Sequence, residues 1–317
     1  MRIAVLGPGG VGGLLAGALE RAGSDVVVVA REATAEVIAA QGLSVKSVTL
    51  GDFVAHPRVV ACLAEPVDAL LIATKATGLA AALERIQVAS SSDDDASPEG
   101  EPVVVLPLLN GLDHLAVLRQ RFPAATVLAG SIRVEADRPR PGVVVHTSPF
   151  LLVSIASRDP GAQPAMDALA QALTRAHVPV KVWPISERAE AQVMWSKLVR
   201  LCALACVTSA HDALLGQINA TPELHAELVA AMEEASAVGR AEGADVDAAK
   251  AIAELEVAHP TLGSSMQRDI AAARQPELDA IPGAVLRAGD RHGIPCPTIE
   301  RLVGMIQARV DAGPAPG

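Results

Sequence analysis

Apolar and polar positions follow two different patterns along this chain, and the change comes near residue 185. Before it, short apolar runs without polar alternation are separated by longer alanine-rich or polar stretches. Such runs are typical of strands in a sheet that is covered on both faces. We predict strands over residues 2–6, 25–30, 68–73, 102–106, 125–129, 142–146, 151–155 and 178–183, with a shorter variable stretch around 43–48.

After Pro184 the apolar residues recur with the period of a helix almost throughout. Prolines separate the periodic segments, and Gly243 and Gly293 follow two of them as C-terminal stops. We predict helices over residues 186–210, 222–242, 246–258, 276–292 and 298–311.

A glycine-rich turn, GPGGVG at residues 7–12, connects the first predicted strand to an apolar helix. Its spacing matches G-x-G-x-x-G, in the order of strand, turn and helix that a dinucleotide-binding unit requires. Gly7 permits the tight turn, Gly9 lets the backbone approach a pyrophosphate, and Gly12 lets the helix pack close to the strand. We expect the pyrophosphate on the backbone amides at the helix N-terminus, around Gly10 and Val11.

These patterns together predict an α/β protein of two domains. Residues 1–185 form an N-terminal, Rossmann-type doubly wound sheet, and residues 186–317 form an all-helical domain that carries substrate-binding and catalytic groups. We expect the active site between these domains. Residues 90–101, SSSDDDASPEGE, are polar, acidic and low in complexity, and we interpret them as a mobile loop rather than a metal site.

The residue that ends the second strand distinguishes between nicotinamide cofactors. An NAD site usually has an acidic residue here to bind the ribose hydroxyls, whereas the 2′-phosphate of NADP needs a cation. Arg31 stands at this position and is followed by Glu32. Because a guanidinium can bind a phosphate with two hydrogen bonds, we favour NADP(H). The alternative is that Arg31 is a solvated surface residue and Glu32 is the ribose ligand.

Composition argues against several kinds of partner. The net charge is −10 and the chain has no Tyr, three Phe and two Trp, which argues against nucleic acid and anionic lipid. No uninterrupted apolar run approaches the roughly 20 residues of a membrane span, and a strand that starts at residue 2 leaves no room for a signal peptide. The four cysteines lack metal-ligand and disulfide spacing, and Cys202 and Cys206 are interpreted as small core residues. We therefore expect a reduced, cytoplasmic protein without a bound metal.

Polar residues directly after two predicted strands are candidates for ligand binding, since ligands bind beyond the carboxyl ends of strands in open α/β sheets. Lys75 follows the strand over 68–73, and Asn110, with Gly111 after it, follows the apolar run that starts at residue 103. Lys75 could bind an anionic substrate or a cofactor phosphate, and Asn110 could bind the nicotinamide amide or ribose. Each has a simpler explanation as an ordinary turn residue, because Asn-Gly is a standard turn dipeptide.

A lysine also lies within the first helix of the second half. Lys197 shares an apolar face with Val193, Leu201 and Ala205. One interpretation is a stem that lies along the surface with its ammonium in water. The other is an ammonium that points into a cleft, where desolvation lowers its pKa toward the range useful for general acid catalysis.

Together these motifs resemble the ketopantoate reductase (2-dehydropantoate 2-reductase) family. Its members start with this glycine turn, have a basic residue after the second strand, and carry a lysine and an Asn-Gly after later strands. A Trp-x-Lys-Leu motif, a Ser-Ser-Met-x-x-Asp segment and a Glu-x-Asp follow. This chain has them in that order at Gly7/Gly9/Gly12, Arg31, Lys75, Asn110-Gly111, Trp195–Leu198, Ser264–Asp269 and Glu277–Asp279. From the residues alone, the serines and Asp269 could simply cap a helix.

The resemblance implies that NADPH delivers hydride to the ketone carbon of a 2-oxo acid, with 2-dehydropantoate as the leading substrate. Lys197 would be the general acid that protonates the developing alkoxide, and Glu277 would bind the substrate hydroxyl and help to orient Lys197. Ser265 would bind the substrate, while Lys75 and Asn110 would contact both cofactor and substrate. Monomers and homodimers are both expected among such proteins.

The chain departs from the family near the lysine. Leu201 and Ala205 stand where the family usually has asparagines four and eight residues after the lysine, and Pro282 replaces a frequent asparagine five residues after the glutamate. Each lost hydrogen bond to a hydroxylated acid costs on the order of 1 kcal/mol. One alternative is therefore a related reductase with a less polar carbonyl or imine substrate. Another, from a different class, is a non-catalytic NADP(H)-binding sensor.

Overall fold

The computed structural model describes residues 1–87 and 104–313. Contacts within the chain divide it into two compact units. The first contains Met1–Leu109 and His114–Val193, and the second contains Asn110–Asp113 and Met194–Gly317. The loop predicted over residues 90–101 and the start of the strand predicted over 102–106 lie outside the described residues. The division into domains at residue 185 stays a prediction.

The first unit alternates strands and helices. Its strands are β1 (Arg2–Leu6), β2 (Asp25–Val29), β3 (Leu43–Ser47), β4 (Phe53–Ala55), β5 (Arg58–Val60), β6 (Ala69–Ile72), β7 (Val104–Pro107), β8 (Thr126–Val127), β9 (Ala129–Arg133), β10 (Ala136–Arg140), β11 (Val143–His146), β12 (Leu152–Ala156) and β13 (Val180–Val182). Its helices are α1 (Gly10–Arg21), α2 (Glu32–Gln41), α3 (Leu79–Leu83), α4 (His114–Arg121) and α5 (Gln163–Arg175).

The main sheet of this unit has six parallel strands in the order β5-β2-β1-β6-β7-β8. Counted along the chain, its own strands run third, second, first, fourth, fifth and sixth, which is the Rossmann order. Successive residues of β1 belong to different cores: Ile3 and Val5 pack into one cluster, and Ala4 and Leu6 pack into another. Both faces of the sheet are therefore covered, and the predicted α/β fold with a doubly wound sheet is confirmed.

The later strands of this unit do not all join the main sheet. Two smaller sheets have the orders β10-β11-β3-β4 and β13-β12-β9, and each combines parallel and antiparallel pairs. The run at Val143–His146 alternates between buried and half-buried residues, as expected for a strand with only one face in a core. An apolar run of four residues cannot reveal this from its composition, because valine suits both environments.

The second unit is helical apart from its short N-terminal segment, residues 110–113. Its helices are α6 (Glu187–His211, from Met194 onward), α7 (Leu215–Ala220), α8 (Pro222–Ala241), α9 (Ala248–Glu256), α10 (Ser265–Ala271), α11 (Ala284–His292) and α12 (Pro297–Ala312). Gly243 and Gly293 have φ values of +93° and +65°, so both predicted C-terminal stops are confirmed. The short helices α7 and α10 were not predicted, since neither is long enough to establish a period.

The segment predicted as one helix over 276–292 begins differently. Residues Asp279–Gly283 form a π-helical turn before α11, and the amide of Gly283 donates to the carbonyl of Leu278 at 2.9 Å. Pro282 lies inside this turn. Proline has no amide hydrogen and disrupts an ordinary α-helical turn, which agrees with the wider turn here.

Helix α6 is long and apolar enough to cross a membrane by length and composition alone, although charged residues interrupt its apolar run. However, 78% of its most apolar window is buried inside the protein. Trp195, Cys202 and Cys206 of this helix are all buried in the core. A core helix of a folded protein passes the same test of length and composition, so this feature is weak support for a membrane span.

Candidate active site

The glycine turn follows β1, and one hydrogen bond to the neighbouring strand and one within the turn fix its backbone. The amide of Gly7 donates to the carbonyl of Val29 at 3.1 Å, and the amide of Gly9 donates to the carbonyl of Gly7 at 2.8 Å. Gly7 has a φ of +90°, a conformation that favours glycine. At Gly12 a Cβ would collide with the carbonyl of Gly7. Helix α1 can therefore lie this close to the turn only because position 12 has no side chain.

The same turn leaves the space that a phosphate group needs. No protein atom lies within 4 Å of where a Cβ of Gly9 would stand. Hydrogen bonding along α1 begins with the amide of Gly13 donating to the carbonyl of Gly9 at 2.9 Å. The amides of Gly10, Val11 and Gly12 therefore have no acceptor within the helix. With no acidic residue in the first turn, this helix end fits the pyrophosphate of a dinucleotide.

Arg31 and Glu32 lie where β2 ends and α2 begins. Arg31 is the N-cap residue of α2, and its side chain is exposed. Glu32 pairs with Arg85 through two hydrogen bonds, Nη1 to Oε1 at 3.0 Å and Nη2 to Oε2 at 3.3 Å. Nη1 of Arg85 also donates to the carbonyl of Ala61 at 3.1 Å. The hydrogen bonds from Arg85 hold the pKa of the Glu32 carboxyl below its usual value, so Glu32 is an ionised carboxylate directed at Arg85.

Lys75 lies beyond the carboxyl end of β6, a central strand of the main sheet. It is exposed, has an extended backbone, and precedes a short 3-10 turn over Ala76–Gly78. The methyl group of the preceding Thr74 lies against Gly7. The Oγ1 of Thr74 is buried and has no hydrogen-bond partner among the described residues. A ligand phosphate or ribose at this edge of the sheet would satisfy it.

Three polar side chains from distant parts of the chain meet in the second unit. The ammonium of Lys197 donates to Oδ1 of Asn110 at 2.9 Å. Nδ2 of Asn110 in turn donates to Oε2 of Glu277 at 2.9 Å. Glu277 is buried, at 5% exposure. Asn110 thus connects an ammonium and a carboxylate in one chain of charge-assisted hydrogen bonds.

The environment of Lys197 adjusts its acidity. Burial lowers the pKa of its ammonium to about 8, although the negative charge of Glu277 acts in the opposite direction. The positive charge of Arg200 contributes to this lowering of the pKa. An ammonium of this kind is mostly protonated at neutral pH and still gives up its proton readily, as a general acid requires. Lys197 is half-buried with its ammonium hydrogen-bonded to Asn110, and its role as a general acid stays a prediction.

Local backbone features hold Asn110 in this position. The next residue, Gly111, has a φ of +87°, and a Cβ there would collide with the carbonyl of Ala280. Arg287 binds both sides of this contact: its guanidinium pairs with the carboxylate of Asp113 and with that of Asp279. The Asn-Gly pair is therefore more than an ordinary turn, since it allows the segment to pack against the π-helical turn.

The two serines of the Ser-Ser-Met segment have different environments. Ser264 is the N-cap of α10, its Oγ accepting from the amide of Gln267 at 3.0 Å, so the predicted capping role is confirmed for this residue. The hydroxyl of Thr208 also donates to Oγ of Ser264 at 2.8 Å. Ser265 begins α10 and is half-buried. Asp269 is buried and pairs with Arg274 at 3.0 Å.

The face of α6 that carries Lys197 is otherwise apolar. Leu201, four residues after it, is half-buried, and Ala205, eight residues after it, is fully buried. Neither side chain can donate or accept a hydrogen bond. The helical face therefore presents hydrocarbon at the two positions where the resemblance leads us to expect amides.

Cys202 and Cys296 offer no competing reactive centre. All four cysteines are free, and Cys202, Cys206 and Cys296 are buried. A hydrogen bond from Cys206 raises the pKa of Cys202, and burial raises the pKa of Cys296 to about 11. The thiols of Cys202 and Cys296 therefore stay protonated and unreactive near neutral pH. Across residues 1–87 and 104–313 no group of three His, Cys, Asp or Glu side chains is arranged to hold a metal ion.

The structure brings some of the predicted site residues together. The glycine turn and Arg31 lie at the carboxyl end of neighbouring strands in the first unit, while Lys197, Asn110 and Glu277 are hydrogen-bonded to one another in the second. Sequence reasoning missed Arg85, Arg287 and the other supporting contacts. Single charged residues in variable stretches have no distinguishing pattern, so their partners are visible only in the fold.

A Rossmann-type sheet with an open glycine turn, together with a half-buried lysine hydrogen-bonded through an amide to a carboxylate, is typical of an oxidoreductase that uses a dinucleotide. Comparison with known families agrees. The family model for ketopantoate reductase PanE/ApbA matches residues 3–155, and the model for its C-terminal part matches residues 191–310. The chain belongs to the ketopantoate reductase family, and it is an oxidoreductase that acts on CH-OH groups.

Similar proteins match along nearly the whole chain. A 2-dehydropantoate 2-reductase from Caulobacter vibrioides is 29% identical over 325 residues, which cover 96% of this chain and 98% of the relative. The crystal structure of a PanE/ApbA family ketopantoate reductase from Ralstonia eutropha JMP134 superposes with a TM-score of 0.82 at 26% identity, covering 98% and 99% of the two chains. D-mandelate dehydrogenase in complex with NADH and anilino(oxo)acetate has a TM-score of 0.83 at 22% identity with the same coverage, and this likeness concerns the fold alone.

Proposed function

We propose that this protein catalyses the NADPH-dependent reduction of a 2-oxo acid to a 2-hydroxy acid, with 2-dehydropantoate as the leading substrate. The observation that carries the proposal is the hydrogen-bonded chain from Lys197 through Asn110 to Glu277. A buried ammonium whose pKa is lowered to about 8 is suited to donate a proton to an alkoxide. The relatives named 2-dehydropantoate 2-reductase, such as the one from Caulobacter vibrioides, support the choice of substrate.

Proton delivery is the task of the protein in this reaction, because the nicotinamide supplies the hydride when it is bound. The ammonium of Lys197 polarises the ketone oxygen and protonates it as the carbonyl carbon is reduced. The neutral amine then regains a proton from solvent, so that one hydride and one proton are consumed in each turnover. Asn110 fixes the direction of the ammonium, and Glu277 supplies the negative charge that keeps it protonated beforehand.

The remaining candidates have roles in binding. The amides of Gly10, Val11 and Gly12 would hold the pyrophosphate, and Arg31 would bind the 2′-phosphate. Lys75 and Thr74 would contact the cofactor or the substrate at the carboxyl edge of the sheet. Ser265 would bind the substrate from the helical side. Free, buried thiols support a reducing compartment, and we propose a cytoplasmic location.

A second substrate class is favoured by the apolar face of α6. Leu201 and Ala205 offer no hydrogen bond to a substrate hydroxyl, whereas a branched alkyl or aryl group of a less polar 2-oxo acid would pack against the half-buried Leu201. The fold does not decide between the two classes, since D-mandelate dehydrogenase shares it. An imine in place of the ketone would need the same proton donor.

The decisive experiment follows the loss of NADPH absorbance with purified protein. 2-Dehydropantoate is compared with 2-oxo acids that have an alkyl group of the same size, or an aryl group, instead of the hydroxymethyl group. Higher kcat/KM for 2-dehydropantoate supports the leading substrate, and higher kcat/KM for the apolar acids supports the second class. No turnover of any 2-oxo acid, by protein that binds NADPH, would contradict the proposal. Light scattering on the same preparation distinguishes a homodimer from a monomer.

A further inference from the structure

We infer that Arg85 is a specificity-determining residue for the cofactor: it favours NADPH over NADH by holding Glu32 away from the ribose. This inference deepens the proposed function and rests on it. The position of the residue carries the argument. Glu32 follows β2, and the carbonyl of Ala61 follows β5, so the guanidinium of Arg85 bridges the carboxyl ends of two adjacent parallel strands.

This bridge lies close to the dinucleotide-binding turn along the sheet. The amide of Gly7 donates to the carbonyl of Val29, the last residue of β2, and the pair Arg31-Glu32 follows only two residues later. β1 and β2 are parallel neighbours. In a Rossmann-type site, the residue at the end of the second strand meets the ribose 2′-position. Arg31 and Glu32 are thus the two side chains in position to compete for that contact.

The two competitors favour different cofactors. A carboxylate there accepts hydrogen bonds from the ribose hydroxyls of NADH, and it repels the 2′-phosphate of NADPH, which carries close to two negative charges. Glu32 is a carboxylate, but both of its oxygens accept hydrogen bonds from Arg85. The pairing removes acceptor capacity from the ribose and neutralises a charge that would repel the phosphate. Arg31 is then the residue that determines the preference for NADPH over NADH.

Arg85 is itself held firmly enough to act in this way. Its backbone carbonyl accepts from the amide of Leu63 at 2.8 Å, and the next residue, Ile86, forms a parallel bridge with Leu63. The third contact of its guanidinium, to the carbonyl of Ala61, fixes the side chain from a second direction. An arginine anchored at backbone and side chain costs less entropy to keep in an ion pair than a freely rotating one.

The test measures equilibrium dissociation constants of NADPH and NADH directly, by cofactor fluorescence, without any substrate. We expect Arg85→Met to weaken NADPH binding and to strengthen NADH binding. The ratio of the two dissociation constants should shift toward NADH by about fivefold, the scale of a largely exposed charge interaction. Glu32→Gln should leave NADPH binding as tight as in the wild type or tighter. In the double variant the NADH gain should disappear and NADPH binding should recover, because no carboxylate remains to be released.

The matched control is Arg58→Met. Arg58 also forms a surface ion pair, with Glu65. However, it is the first residue of β5 and so lies at the amino ends of the parallel strands, whereas the glycine turn lies at their carboxyl ends. Its removal should leave the ratio unchanged. Arg85→Lys, which keeps the charge but loses the two-bond geometry, should give an intermediate ratio and serves if Arg85→Met fails to fold.

The possible failures are distinguishable. A wild-type protein that prefers NADH overturns the proposed cofactor and this inference with it. A wild-type protein that prefers NADPH, with the same ratio in Arg85→Met and Arg85→Lys, overturns the inference alone. A double variant that keeps the full shift also overturns it, because Arg85 would then act on the cofactor without Glu32.

Discussion

The glycine turn of the first unit and the Lys197 cluster of the second unit differ in how they handle charge: the turn is suited to bind an anion, and the cluster is suited to hold a proton. The turn depends on the absence of side chains: no protein atom lies within 4 Å of the Cβ position at Gly9, and at Gly12 any side chain would collide with the carbonyl of Gly7. The cluster depends on side chains, because Lys197, Asn110 and Glu277 must each supply a particular group at hydrogen-bond distance. Binding of an anion therefore needs only a helix end and space, whereas control of a proton needs a lysine whose surroundings set its pKa.

The largest expected effect separates the chemistry of the cluster from binding at the turn. Lys197→Ala removes the proton donor, and we expect kcat/KM to fall about 10³-fold, within the range typical of a general acid. The dissociation constant of NADPH should stay close to that of the wild type. Steady-state kinetics and cofactor fluorescence measure the two quantities. Lys250→Ala, at an exposed position of α9, is the control and should leave both unchanged. Retained turnover in Lys197→Ala would show that another group donates the proton.

The next prediction breaks the turn in two distinguishable ways. Gly9→Ala adds a methyl group where no protein atom lies within 4 Å, so the melting temperature should be that of the wild type while NADPH binds about 100-fold more weakly. Gly12→Ala forces a methyl group against the carbonyl of Gly7, so the protein itself should lose stability. Thermal melting with and without NADPH measures both effects. Equal melting temperatures for the two variants would contradict this account of the turn.

A smaller effect concerns the pH dependence of the cluster. Because the donor must be protonated, kcat should fall as the pH rises through about 8, the pKa to which burial lowers Lys197. The negative charge of Glu277 raises that pKa, so Glu277→Gln should move the alkaline limb of the pH profile to lower pH as well as lower the rate. Glu256→Gln, at an exposed ion pair with His225, should not move the limb. A limb at the same pH in Glu277→Gln would mean that Lys197 is not the group that titrates.

The smallest effect concerns substrate preference. Leu201→Asn restores an amide on the lysine face of α6, and we expect kcat/KM for 2-dehydropantoate relative to an alkyl 2-oxo acid to rise about fivefold, the value of one hydrogen bond. Leu201→Ala removes the same hydrocarbon without adding a donor and is the control. If both variants change the preference equally, the size of residue 201 matters and its polarity does not.

The sequence predicts the two regions to different extents, for a physical reason. The turn is a contiguous motif whose chemistry resides in six adjacent residues, so its strand, glycines and helix are all predictable from spacing. The cluster joins residues 87 and 167 positions apart in the chain. Only the fold brings them together, and the resemblance to a family was needed to associate them beforehand. The Arg85–Glu32 pair, 53 positions apart, had neither a motif nor a resemblance to reveal it.

The prediction of the fold was correct where the sequence patterns were long, and it was wrong in detail where they were short. The six-stranded sheet and the longer helices follow from buried runs and from periodicity. Val143–His146 was expected in the same sheet and belongs to a smaller one, because a run of four apolar residues fits a strand with one or two buried faces. The π-helical turn at Asp279–Gly283 depends on how Pro282 packs, which sequence periodicity does not describe.

The assignment of residues 110–113 to the second unit has a consequence for any attempt to divide the protein. These four residues lie far from Met194 in sequence, yet they are part of the same compact body as the helices. A protease or a gene truncation that cuts the chain once at residue 193 would yield a helical fragment that has lost Asn110. Lys197 would then remain without the oxygen that holds it. The second unit is discontinuous in sequence. A single crossover between relatives near residue 193 would therefore exchange Asn110 without exchanging Lys197 and Glu277.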